Sequence, residues 1–188
     1  MKTTIVAASL LMILSALAGS IVRYGEPDAP KPISVRILAE KDIKEGFKHD
    51  QKRKQIQRSI KIARLVYRQL GCRPTYAEAT GRIAVEYNLP ARLLAAVVFV
   101  ESSCNPNAVS DRYSVGLTQV NPKYHRYTRA ELKDPQRNLE IGASILSTYI
   151  RRYGLIEGLH AYNGFGNPTD EYSTKVLTAA GIKIEAKG

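Results

Sequence analysis

Ala91-Arg92-Leu93-Leu94-Ala95-Ala96-Val97-Val98-Phe99-Val100-Glu101-Ser102 is an apolar run whose one acid stands beside its end. Asn88-Leu89-Pro90 breaks whatever precedes it, and Ser103-Cys104-Asn105-Pro106 stops it. The spacing predicts a buried helix over 91–102. Leu94, Val97 and Val98 fall on the face of Glu101, so its carboxyl meets apolar neighbours that disfavour the charged form and raise the pKa. A carboxyl held that way is a general acid near neutral pH. The plain alternative is a glutamate at a helix C-terminus with its head in water.

Two further polar clusters follow this one. The first continues as Asn105-Pro106-Asn107-Ala108-Val109-Ser110; then come Gly116-Leu117-Thr118-Gln119-Val120-Asn121-Pro122 and, much later, Ala161-Tyr162-Asn163-Gly164. Each is bounded by helical pattern, as a cleft built from loops over a helical scaffold requires. In this order the clusters resemble those of lytic transglycosylases, relatives of goose-type lysozyme, whose pattern is Glu-Ser-x-Phe-x-Pro-x-Ala-x-Ser, Gly-Leu-Met-Gln and Ala-Tyr-Asn-Gly-Gly. Matching runs from about Tyr76 to Ala180. Cys104 replaces the aromatic residue, Thr118 the Met and Phe165 the second Gly, departures that touch cleft packing rather than the acid.

The resemblance implies a mainly α, lysozyme-like domain acting on peptidoglycan glycan strands. Glu101 would protonate the glycosidic oxygen between N-acetylmuramic acid and N-acetylglucosamine, then act as base while the sugar's own C6 hydroxyl closes a 1,6-anhydro ring. It also implies substrate or water contacts for Ser110 and Gln119, a Tyr162 hydroxyl near Glu101, and Asn163 fixing a loop or touching sugar. Ordinary roles compete at each position: a turn cap for Ser110, backbone pairing for Gln119, a half-buried core ring for Tyr162 and a turn for Asn163. A goose-type hydrolase would need a second carboxylate, and Asp111 is the candidate in the motif region. Asn121 stands where those lysozymes tend to carry a carboxylate after their Gln. A non-catalytic wall-binding or assembly protein is the reading from another class. His125 and His160 show no ligand spacing, so neither a metal nor another cofactor is called for.

Upstream, Lys2 precedes eighteen uncharged residues from Ile5 to Val22. Ala16-Leu17-Ala18 fits a signal-peptide cleavage site over 1–18, and an uncut 5–22 would serve as a membrane anchor. Export to the periplasm or cell envelope is the expectation either way. Glu26-Pro27-Asp28-Ala29-Pro30-Lys31-Pro32 makes 19–40 read as a linker; alternation at Ile33, Val35 and Ile37 permits a short strand. Over 41–71, Ile56, Ile60, Ala63, Tyr67 and Leu70 form a seam in a basic helix with ten Lys or Arg against three Asp or Glu between Lys41 and Leu70. The seam either packs on the domain that follows, self-associates, or leaves the charges to anionic wall, lipid or envelope-spanning machinery. A net charge of +11 suits an anionic polymer, and the lack of zinc spacing, RNP-like aromatics or a helix-turn-helix signature leaves no nucleic-acid reading.

Cys72 and Cys104 flank the helical pattern at Tyr76–Tyr87 and the run over 91–102. Two antiparallel helices of about 18 Å return the second cysteine near the first, so a disulfide is reasonable in an oxidising compartment, with two buried thiols as the alternative. Downstream, Asp134-Pro135 opens a helix that Gly154 stops, with Gly142 and Ala143 small enough for another helix to approach. Thr169-Asp170 opens a last helix that Gly181 ends. The expected architecture is a helical domain over 72–181 with a tail at 182–188. Its cleft lies between the Glu101 segment and a Tyr162-Asn163 loop, with room for a short hairpin within 104–128.

Overall fold

The computed structural model describes residues 32–164 and 171–183, with side chains from residue 41 onward. The segment 1–31, which carries the expected signal or anchor and most of the linker, lies outside the described residues, as do Thr169-Asp170 and most of the tail. The chain divides into two units, Met1–Ile43 and Lys44–Gly188. In the first, the described part is the opening of helix α1 (Pro32–Gln69).

That helix corrects the linker boundary at 40. Pro32 is the last proline of the cluster and takes the first helical position, where a missing N–H costs nothing. No proline follows until Pro74, so the alternation at 33–37 is absorbed into helix rather than strand. In the second unit part of the expected seam is buried, with Ile56 half-buried and Leu70 half-buried just beyond the helix end. Ile60, Ala63 and Tyr67 are buried, joined by Val66, and the last three belong to the main core. The seam therefore packs on the domain that follows. Gly81 meets the backbone of Ile60 so closely that a Cβ there would collide with it.

A 3-10 turn (Pro74–Tyr76) leads into α2 (Ala77–Glu86). Asn88 adopts a left-handed conformation and Leu89 N donates to Ala84 O, closing α2 before Pro90 starts α3 (Ala91–Ser102). The boundaries of α3 are those its sequence dictates. Leu93 through Val98 are fully buried, because a helix apolar all round has to be wrapped. It is wrapped by α2 on one side and by α7 (Glu171–Ala179) on another. Each buried Leu or Val contributes about 1.5–3 kcal/mol relative to exposure.

Helix α4 (Arg129–Lys133) has a capping box between Thr128 and Glu131, a short element not expected from the sequence. Asp134 caps α5 (Pro135–Tyr153), accepting from Arg137 N at 2.6 Å, and Gly154 ends it at φ +88°. Directly after comes α6 (Leu155–Asn163). Tyr162 and Asn163 thus sit on the last turn of a helix, where a loop was expected. The motif's glycine lies beyond the helix end, so the motif marks a C-terminus rather than a free loop. Within 104–128 no strand forms among the described residues; Val115 makes isolated bridges with Val109 and Val120. Positive φ at Tyr113, Gly116 and Gln119 interrupts the extended backbone a hairpin needs. A second small core of Val115, Val120, Leu132 and Ile141 lies beneath this segment.

Cys72 and Cys104 form the expected disulfide, with Cα atoms 6.1 Å apart. It ties the end of α1 to the turn after α3. No helix among the described residues is long and apolar enough to cross a membrane.

Candidate active site

Glu101 lies one residue before the end of α3, and Ser103 turns the chain away at φ +51°. Leu94, Val97 and Val98 pack behind it without exposure, and that burial lifts its pKa from 4.5 to about 7. One hydrogen bond pulls the other way: Tyr172 Oη donates to Glu101 Oε1 at 2.5 Å and favours the charged form. Burial, with Glu101 and Tyr162 nearby, holds the Tyr172 phenol well above its ordinary pKa, so it remains a donor.

The segment 115–120 contributes Gln119 and Val120 to the neighbouring wall and is fixed from three sides. The Ser102 hydroxyl shares its one proton between Leu117 O and Val98 O, each at 2.9 Å, tying the wall to the helix that carries Glu101. Tyr162 Oη donates to Thr118 O at 2.9 Å. Buried Asn138 of α5 is the third tie. Its Oδ1 accepts from Thr118 N (2.8 Å) and Thr118 Oγ1 (2.7 Å), while its Nδ2 donates to Val115 O (2.8 Å) and Leu132 O (3.1 Å). Gly142 leaves the space that the Thr118 side chain fills. What approaches this glycine is a loop side chain, where a second helix was expected.

Glu101, Ser110, Gln119, Tyr162 and Asn163 all line one cleft of about 1090 Å³. The Tyr162 hydroxyl bonds to the wall rather than to the acid, though its own pKa is raised by burial and then by the Glu101 charge. Gln119 Nε2 donates to Gly116 O (2.9 Å) and Ala108 O (3.2 Å), bracing the loop. Ser110 Oγ accepts from Ser114 N at 3.0 Å as a turn cap. Asn163 is exposed on the cleft side, and Asp111, also exposed, lines the same cleft.

Tyr172, Asn138 and Ser102 were not reached by sequence reasoning. Tyr172 is 71 residues from Glu101 and belongs to none of the three clusters; only the packing of α7 on α3 brings it there. Asn138 reads as an ordinary residue of an amphipathic helix until its burial is seen. Among the described residues no three His, Cys, Asp or Glu side chains stand together as a metal set. The arrangement offers proton donation and return from one protected carboxyl, with cationic Arg112 and Lys123 and several tyrosines in the same cleft.

Transglycosylases of the SLT type are the class to which this helical scaffold and its buried acid correspond. The Transglycosylase SLT domain family matches residues 78–183, and the chain belongs to that family. Over 110 residues, 53% of this chain and 41% of the relative, it is 37% identical to the transglycosylase of Enterobacteria phage PRD1. It is also 37% identical over 82 residues to the endo-type membrane-bound lytic murein transglycosylase A of Cronobacter sakazakii, covering 37% of this chain and 39% of that one. To the membrane-bound lytic murein transglycosylase E of Buchnera aphidicola it is 33% identical over 82 residues, 37% of each chain. The chain spans about two fifths of the length of these curated relatives.

Proposed function

We propose that this chain is a peptidoglycan lytic transglycosylase with Glu101 as its acid and base. The observation that carries the reading is a carboxyl raised to about 7 by burial that lines the cleft of a member of the SLT family. The protonated Glu101 gives its proton to the oxygen of the β-1,4 bond between N-acetylmuramic acid and N-acetylglucosamine as the C1–O bond breaks. The muramyl C6 hydroxyl then bonds to C1 and returns its proton to Glu101. No water enters, and the intramolecular nucleophile removes the need for a second activated carboxylate. In this reading Tyr172 limits how far the Glu101 pKa rises, Gln119 and Ser110 keep the loop backbone in place against the glycan, and Asn163 meets sugar.

Hydrolysis is the second reading, favoured by one observation, the exposed Asp111 in the same cleft. There it would activate a water against C1. Export to the periplasm or envelope goes with either reading, resting on the apolar run from Ile5 to Val22 and on relatives named as membrane-bound murein enzymes. The test is release of soluble muropeptides from purified peptidoglycan, expected from the wild type and lost in Glu101→Gln; release by that variant at an unchanged rate overturns the assignment.

A further inference from the structure

The outward face of α1 has no part in the cleft. Phe47, Gln51, Lys54, Arg58, Lys61, Leu65 and Arg68 recur at spacings of four and three, a stripe that runs along the side of the helix opposite Ile60, Ala63 and Tyr67. All seven are exposed, Phe47 at 68% and Leu65 at 57%. From Gln51 to Gln69 the helix has seven Lys or Arg and no Asp or Glu. Asp50 pairs with Lys54 at 2.9 Å and Arg53 at 3.4 Å; among the described residues no carboxylate pairs with Arg58, Lys61 or Arg68.

We infer that this stripe is a docking surface for an anionic phospholipid bilayer, on which α1 lies with Phe47 and Leu65 entering the interface. Charge complementarity identifies an anionic partner. The apolar residues decide which one. A hydrated acidic polymer has no apolar interior to take up an exposed Phe and Leu, whereas a bilayer takes both these side chains and the cations, as interfacial amphipathic helices do. Docking of this kind would hold the SLT domain at the membrane face independently of what the cleft does to glycan.

The chain contains no tryptophan, so Phe47→Trp in the full chain is a clean reporter, and its exposed position spares the fold. Its emission should shift to the blue on vesicles containing phosphatidylglycerol and be quenched by lipid brominated in the acyl chain, with little change on phosphatidylcholine alone. Adding Lys54→Gln, Arg58→Gln, Lys61→Gln and Arg68→Gln should lower vesicle partitioning about a hundredfold or more, while muropeptide release stays at the wild-type rate. An equal shift on neutral and anionic vesicles, no shift on either, or loss of peptidoglycan sedimentation in the glutamine variant with vesicle binding unchanged would each overturn the inference.

Discussion

Tyr172 on α7 donates a hydrogen bond to Glu101 on α3 at 2.5 Å. This contact spans the interface between the central helix and the last one, and it opposes the larger effect of burial on the same carboxyl. Tyr172→Phe removes the donor while keeping the ring. The Glu101 pKa should then climb above about 7, because the charged form loses its stabilising partner. Since the acid must be protonated to act, the alkaline limb of the activity profile should move to higher pH. An unchanged limb in the purified variant would show that the phenol does not tune the acid.

Burial of Glu101 also predicts a pH-dependent stability. Its folded pKa of about 7 exceeds the ordinary 4.5, so between those values the native state keeps a proton that the unfolded chain has released. Stability from this group is therefore fully present below pH 4.5 and is lost as pH rises through 7, by about 3 kcal/mol. Glu101→Gln cannot ionise, so it should gain on the wild type by that amount between pH 4 and pH 8 in denaturant unfolding. Parallel stability curves would contradict it.

Asn138 makes four hydrogen bonds with one buried amide, three to the segment 115–120 and one to Leu132 O. Replacing it by Leu strands the Thr118 N–H and the Val115 and Leu132 carbonyls, an expected loss of about 2 to 4 kcal/mol. Activity should fall further than stability explains, because Thr118 and Gln119 then lose their position. Wild-type turnover in a folded Asn138→Leu would show that the wall tolerates release.

The path from sequence to site was uneven for physical reasons. Helix α3 could be read to its last residue because Pro90 and Ser103-Cys104-Asn105-Pro106 punctuate a mostly apolar run. Its length and that of α2 also placed Cys72 beside Cys104. Helix α6 was hidden because Gly154 serves both as the end of α5 and as the cap of the next helix, leaving no linker to mark a boundary. For Tyr162 the position in the cleft followed from its motif, whereas its hydroxyl's partner is a backbone carbonyl that no motif encodes. Tyr172 depends on how α7 packs, information carried by the core as a whole rather than by any local pattern.

The Cys72–Cys104 bond closes a loop across 32 positions and should stabilise the domain by about 3 to 4 kcal/mol in the chain-entropy model. Cys72→Ser should unfold at lower temperature than the oxidised wild type and be insensitive to reductant, while reductant should bring the wild type down toward it. Equal melting of all three samples would remove the disulfide from the stability of the fold.

The most direct measurement is mass spectrometry of the muropeptides released from purified peptidoglycan by the wild type and by Asp111→Asn. If the C6 hydroxyl is the nucleophile, the products carry 1,6-anhydro-muramic ends, lighter by one water than hydrolytic ones, and Asp111→Asn keeps most of the activity. Reducing muramic ends as the main product, with a loss on the order of a hundredfold or more in Asp111→Asn, would contradict the transglycosylase reading and establish a hydrolase.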